Sequence, residues 1–339
     1  MQEKQSNAAS ANPPGSGKSA LYKAGALAVA AVGAGIAYSR VIVDHDVPLP
    51  AALDAPRVTF NSPTAGRVSY YVDPQASGRP LVLVHSINAA PSAFEMKPLF
   101  DHYRAQRPVY ALDLPGFGFS DRSDRRYAPA LFITAIAELI EREIGTAADV
   151  VALSLSAEFA AGVALRYPNL VASLALISPT GFSAETRAFQ ALAGGGLVSS
   201  AVHTGLTLPL LSQSLYDLVA SRKSIDYYTG LSFAGEPPAA FADYAYATSH
   251  QPGARHAPLY FLSGQLFTPD ALNKLYAPLT VPALVLYDQD PNISFERLPD
   301  LLQTNPRCHA VRIAPTMGLP HWEKLPETTA ALDEFWAAS

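Results

Sequence analysis

Short runs that are apolar at all or nearly all positions alternate, from about residue 80 onward, with stretches whose apolar residues fall on one side of a helix. Residues 80–84, 108–112, 150–153, 171–177 and 281–287 are such runs. Continuous runs of this length suit strands of a parallel sheet covered on both faces. Residues 58–60 and 67–72 alternate instead, with a turn-like Asn-Ser-Pro-Thr-Ala-Gly between them, and predict a hairpin. Residues 309–314 predict the last strand. Helices are expected over 92–105, over 130–144, from Ala157 to about Tyr167 and near the C-terminus to Trp336. Leu131, Ile133, Ile136, Leu139 and Ile140 mark one face of the second of these. The alternation stops between 182 and 278, where helical pieces carry many aromatics, among them Tyr216, Tyr227, Tyr228, Phe233 and Tyr244. The order predicts an α/β fold with a mostly parallel central sheet, helices on both faces and a helical insertion.

The N-terminal pattern differs. Residues 1–19 are polar and rich in Asn, Ser, Pro and Gly, the composition of a disordered segment. Their Gly-Ser-Gly-Lys-Ser lacks the earlier glycine and the preceding strand that a phosphate-binding loop needs. Residues 24–39 carry no charge and are rich in Ala, Val and Gly. With Leu21, Tyr22 and a snorkelling Lys23, residues 20–39 approach the ~30 Å of a bilayer core. Lys18 and Lys23 precede the stretch and Asp44 and Asp46 follow it. A single N-terminal membrane helix is therefore expected, with the rest of the chain on the non-cytoplasmic side. A cleaved signal peptide, leaving a secreted protein, and an Ala-rich helix on a soluble cytoplasmic one are the alternatives. Residues 40–56, rich in Pro, read as a tether.

Composition adds exclusions. The net charge is −5 and no Lys/Arg run occurs, so no nucleic-acid partner is expected. The single cysteine, Cys308, excludes an internal disulfide. No cofactor or metal is expected.

Ser154 lies where the run 150–153 meets the helix beginning near Ala157, in Ala-Leu-Ser-Leu-Ser. A serine at a sharp strand-to-helix turn exposes its hydroxyl beside a helix N-terminus; taken alone, such a serine is also an ordinary helix cap. Residues 113–120, Asp-Leu-Pro-Gly-Phe-Gly-Phe-Ser, follow the second continuous run. These two stretches, with the strand order, resemble the α/β-hydrolase superfamily, across about residues 57–339. Ala152 and Ser156 stand at its two elbow glycines. The resemblance implies an α/β-hydrolase core of two parts, 57–181 and 279–339, with a helical cap at 182–278. It implies Ser154 as nucleophile, with the backbone N–H groups of Leu155 and Ile87 as oxyanion donors. His85 at the end of its strand is implied to be structural, and Asp113 architectural. The triad acid is implied at Asp290, followed by proline, with Asp288 as competitor.

The general base is the departure. Family members end in a pattern like Gly-His-Leu-Pro-His-x-Glu, whose first histidine is the base. Gly318 stands there in Gly318-Leu319-Pro320-His321-Trp322-Glu323, and His321 is the remaining histidine. The expectation is a serine hydrolase using Ser154, His321 and Asp290 on a small ester or related carbonyl substrate with an apolar portion. The alternative is a membrane-anchored, catalytically degenerate binding protein.

Overall fold

The computed structural model of the protein describes residues 33–184 and 193–338. Its contacts divide the chain into residues 1–43 and residues 44–339. In the first unit residues 33–41 are helical. The rest of the expected membrane helix, residues 20–32, and the polar segment 1–19 lie outside the described residues. Among the described residues no helix is long and apolar enough to cross a membrane, so the structure adds no support to the expected anchor.

The second unit is built on an eight-stranded sheet: β1 (Arg57–Ser62), β2 (Gly66–Asp73), β3 (Leu81–Val84), β4 (Val109–Asp113), β5 (Ala148–Leu153), β6 (Val171–Ile177), β7 (Ala283–Gln289) and β8 (Cys308–Met317). The order is β1-β2-β4-β3-β5-β6-β7-β8. β1 and β2 form the expected hairpin and β2 runs antiparallel to β4; every other pairing is parallel. The continuous apolar runs follow from this. Val82, Val84, Val150 and Ala152 enter the core on one face, while Leu81, Leu83, Val151 and Leu153 enter the core on the other.

The helix expected over 92–105 is broken. A 3-10 turn, Ala93–Met96, precedes α1 (Lys97–Tyr103), whose Pro98 sits in the first turn, where proline is tolerated. α2 (Pro129–Glu138) runs into a wide turn, Leu139–Ile144. α3 (Ser156–Arg166) follows β5 and packs against α2; a side chain at Gly162 would meet Ile133 at 2.5 Å. Between β6 and β7 lie α4 (Leu197–Leu206), α5 (Ser212–Val219), α6 (Arg222–Leu231), α7 (Ala239–Ser249) and α8 (His256–Leu262). α9 (Leu298–Thr304) precedes β8, and α10 (Leu325–Ala337) ends the fold.

Residues 44–52 of the expected tether are pinned to this unit. His45 Nε2 lies 3.0 Å from both carboxylate oxygens of Asp217, and Val47 N–H donates to the His250 carbonyl. Tyr244 Oη donates to the Pro50 carbonyl, and Ala52 N–H to Tyr71 Oη.

Candidate active site

Ser154 joins β5 to α3 with φ +56°, a left-handed conformation that costs a non-glycine residue roughly 1–3 kcal/mol and persists only when its surroundings impose it. Its N–H donates to the Ile177 carbonyl of β6 at 2.8 Å, and its carbonyl accepts from Ala157 N–H at 3.1 Å. The turn is thus tied to the neighbouring strand on one side and to the new helix on the other. Leu155 follows, fully buried, at the head of α3. Ser156, at the second elbow glycine's position, is accommodated because its hydroxyl donates to the His85 carbonyl at 2.6 Å.

β3 delivers a second arm, His85 to Asn88. The His85 Nδ1–H donates to the Ser86 carbonyl at 2.7 Å, and Nε2 accepts from Leu114 N–H at 3.0 Å. Burial holds this imidazole at a pKa of about 4. Both nitrogens serve the loops, as a structural histidine's would. Ile87 is buried within the arm.

The Asp113 loop braces the sheet edge beside this arm. Oδ1 of Asp113 accepts from Ala93 N–H and Oδ2 from Phe119 N–H, both at 3.0 Å, while its carbonyl takes the Ser120 hydroxyl. Gly118 turns at φ +51°, and a side chain there would collide with the Asp113 carboxylate at 2.0 Å. Only glycine fits.

The two candidate acids separate clearly. Asp288, buried at the end of β7, accepts from Arg312 Nε at 2.6 Å and from Thr316 N–H at 2.8 Å, so both its oxygens brace β7 against β8. Asp290 lies two residues on. Its Oδ1 accepts from the N–H groups of Asn292 and Ile293 at 2.8 and 3.0 Å. Its Oδ2 lies 2.8 Å from the point where a side chain at Gly318 would begin. Burial raises its pKa, and those two N–H groups oppose the rise. Of the two carboxylates, Asp290 faces the position where the family carries its base.

His321 sits elsewhere. It is fully buried in the helical turn Pro320–Glu323, and its Nε2–H donates to the Glu95 carbonyl at 2.8 Å. Nδ1 has no hydrogen-bond partner. Burial lowers its pKa to about 4, so the ring is neutral near pH 7. The relay expected from the sequence, Ser154 to His321 to Asp290, is not formed in this conformation, because one ring nitrogen is committed to Glu95 and the other is unbonded. Trp322 Nε1–H donates to the same carbonyl at 2.7 Å. Glu323 takes Met317 N–H at 2.7 Å and Ala234 N–H of the inserted segment at 2.6 Å.

Glu95 itself was not singled out by the sequence. Its carboxylate is buried and accepts from Ser86 N–H at 2.8 Å, Ser86 Oγ–H at 3.0 Å and Asn88 Nδ2–H at 3.1 Å. The available signal was a lone acid within Ala-Phe-Glu-Met, an apolar run. Several inserted aromatics pack the insertion onto this region. Phe94 stacks on Tyr244 at 4.6 Å, Phe241 meets Trp322 edge-on at 5.2 Å, and Tyr216 Oη donates to the Ala89 carbonyl. Tyr227 and Tyr228 are exposed. Among the described residues no three His, Cys, Asp or Glu side chains gather as a metal site.

The sheet order, the serine elbow and the loop arms agree with a sequence profile of the alpha/beta hydrolase family, which matches residues 81–332. The chain belongs to the alpha/beta hydrolase family. Among curated proteins, this alpha/beta hydrolase is 33% identical over 116 residues to rat 1-acylglycerol-3-phosphate O-acyltransferase ABHD5, covering 32% of this chain and 31% of that one. It is 32% identical over 127 residues to a 2-(acetamidomethylene)succinate hydrolase from Mesorhizobium japonicum, covering 38% and 45%. The matched segments span less than half the length of these relatives. Among solved structures, a membrane phospholipase A superposes with a TM-score of 0.65 at 19% identity, covering 95% of this chain and 98% of that one; at that identity the likeness is one of fold.

Proposed function

We propose that the site at Ser154 receives an ester or related carbonyl compound with an apolar portion, and that it binds this compound without turning it over through a Ser-His-Asp relay. The observation that carries the second half is the arrangement around Gly318. Asp290 faces a glycine where the base would stand, while the nearest histidine in sequence is enclosed and bonded to the Glu95 carbonyl. A serine hydroxyl with no base to take its proton is a weak nucleophile near neutral pH. The first half is supported by the elbow, by the arm carrying Ile87, and by the aromatic character of the insertion, read as a cap. The names of the two curated relatives, an acyltransferase and a hydrolase, point the same way.

A second reading is favoured by one observation. Ser154 keeps its strained φ of +56°, a conformation typical of sites that do chemistry. In that reading the protein is a serine hydrolase, and residues 316–321 rearrange so that His321 joins Ser154 and Asp290.

Calorimetric titration of the full chain with an alkyl ester, alongside release of p-nitrophenol from the corresponding p-nitrophenyl ester, separates the readings. Saturable binding weakened by Ser154→Trp is expected, with p-nitrophenol release no faster than from Ser154→Ala. Release more than about a hundredfold above that variant would shift the assignment to the hydrolase. Absence of both saturable binding and Ser154-dependent release would remove both.

A further inference from the structure

Glu95 holds two parts of the site at once. Its side chain accepts three hydrogen bonds from Ser86 and Asn88, on the arm that carries Ile87. Its carbonyl accepts from His321 and Trp322, on the loop after β8. The Asn88 amide also donates to Ser86 Oγ at 2.8 Å, and Asn88 Oδ1 caps Ala90 N–H at 2.7 Å. The arm from Ser86 to Ala90 is therefore folded around one buried carboxylate.

We propose that Glu95 is the positioning residue of this arm: ionised, it fixes the Ile87 N–H where a carbonyl oxygen bound at Ser154 is received, and protonated, it releases the arm. The inference rests on reading the site at Ser154 as a carbonyl site. The geometry gives the reason for release. Both Ser86 N–H and Asn88 Nδ2–H are fixed donors, and only the Ser86 hydroxyl can reverse its role. Protonation removes the charge that strengthens all three of these hydrogen bonds. A proton on Oε2 also opposes the buried Ser86 N–H, which is costly, while a proton on Oε1 opposes the Asn88 amide there and leaves it Ser86 Oγ as its acceptor. Asn88 then turns and takes the Ala90 cap with it.

Burial pushes the Glu95 carboxyl up to about 7, against the three donors that favour its charge. Among the groups packed around it, burial also raises the Asp113 carboxyl. His321 at its carbonyl and His85 beside Ser86 are both held near 4 and are neutral above that. Asp113 meets the same 3-10 turn through Ala93 N–H, and its own reporters are the Ala93 and Phe119 amides. Lys97, which begins α1, pairs with Asp101.

The test is an NMR titration of the full chain, following the Ser86, Ile87 and Asn88 amides about two units either side of the Glu95 midpoint near 7. The three amides should move together, with one midpoint, and Glu95→Gln should leave them flat. Ser86→Ala removes one donor to the carboxylate and should raise the midpoint; it decides the matter if Glu95→Gln does not fold. Alkyl-ester affinity should weaken as pH falls through that midpoint in the wild type and stay level in Glu95→Gln. Amides that stay still over this range, or titrate unchanged in Glu95→Gln, would overturn the inference. The amide titration needs no ester, so it can succeed where ester binding and Ser154-dependent release both fail. That combination would remove the carbonyl-site reading and leave Glu95's hold on the arm standing, while the opposite combination removes this inference alone.

Discussion

At Gly318 the backbone turns at φ +87°, and the Asp290 carboxylate fills the space a side chain would need. Restoring the family's histidine there is therefore not a simple repair. Gly318→His should gain no esterase activity over the wild type and should lose roughly 1–3 kcal/mol of stability from the left-handed backbone alone; activity assays and urea unfolding read both outcomes. His321 makes a second prediction. Its folded pKa of about 4 lies below the ordinary value of 6.5. Above 6.5 both states are neutral. Below it the unfolded chain binds a proton that the folded one refuses, so stability falls as pH drops from 6.5 towards 4. Unfolding at pH 4.5 and at pH 7 should therefore show a wild-type loss exceeding that of His321→Gln by about 2–3 kcal/mol. An equal loss would mean the ring is not buried neutral. Ser154 was legible in sequence because an elbow needs a small-residue turn between an apolar strand and an Ala-rich helix, all local features. The place of His321 was not legible, because its partner Glu95 lies 226 positions away in the chain.

On the level of elements, β7 and β8 divide the two candidate acids by role. Asp288 holds Arg312 and Thr316 across the strand pair, so Asp288→Asn should lower stability by about 1 kcal/mol. Asp290→Asn should leave stability nearly unchanged and alter Ser154 reactivity by less than tenfold, because among the described residues no imidazole is hydrogen-bonded to Asp290 to be oriented by it. In an assembled triad the same change lowers turnover by about 10⁴. Comparing urea midpoints and fluorophosphonate reactivity for the two variants checks both statements. The inner strands were plain in the sequence because burial on two faces demands unbroken apolar runs. β8 was read too short, as 309–314, since an edge strand with exposed Arg312, Pro315 and His309 shows little periodicity. The helix expected over 92–105 was split by a 3-10 turn whose reason is tertiary. That turn carries Glu95 into the core and offers its carbonyl to His321 and Trp322.

For the whole molecule, the succession of strands along the chain was readable from where apolar runs stop and resume, and the order in which they pair was not. What the insertion touches was not readable, since Tyr216, Phe241 and Tyr244 join it to the core through contacts far apart in the chain. The uncharged stretch 24–39 sustains the proposal that the full-length chain fractionates with membranes. A chain beginning at Asp44 should stay in the supernatant, and it keeps His45, Val47 and Pro50, which are bonded to the folded unit. Full-length protein of intact mass in the supernatant would contradict the anchor. The central claim is that Ser154 works without a histidine relay. It is tested most directly by the rate at which a fluorophosphonate labels the full-length protein, compared with His321→Gln. The account predicts slow labelling, absent in Ser154→Ala and changed by less than about threefold in His321→Gln. Rapid labelling that His321→Gln abolishes would contradict it and establish the relay.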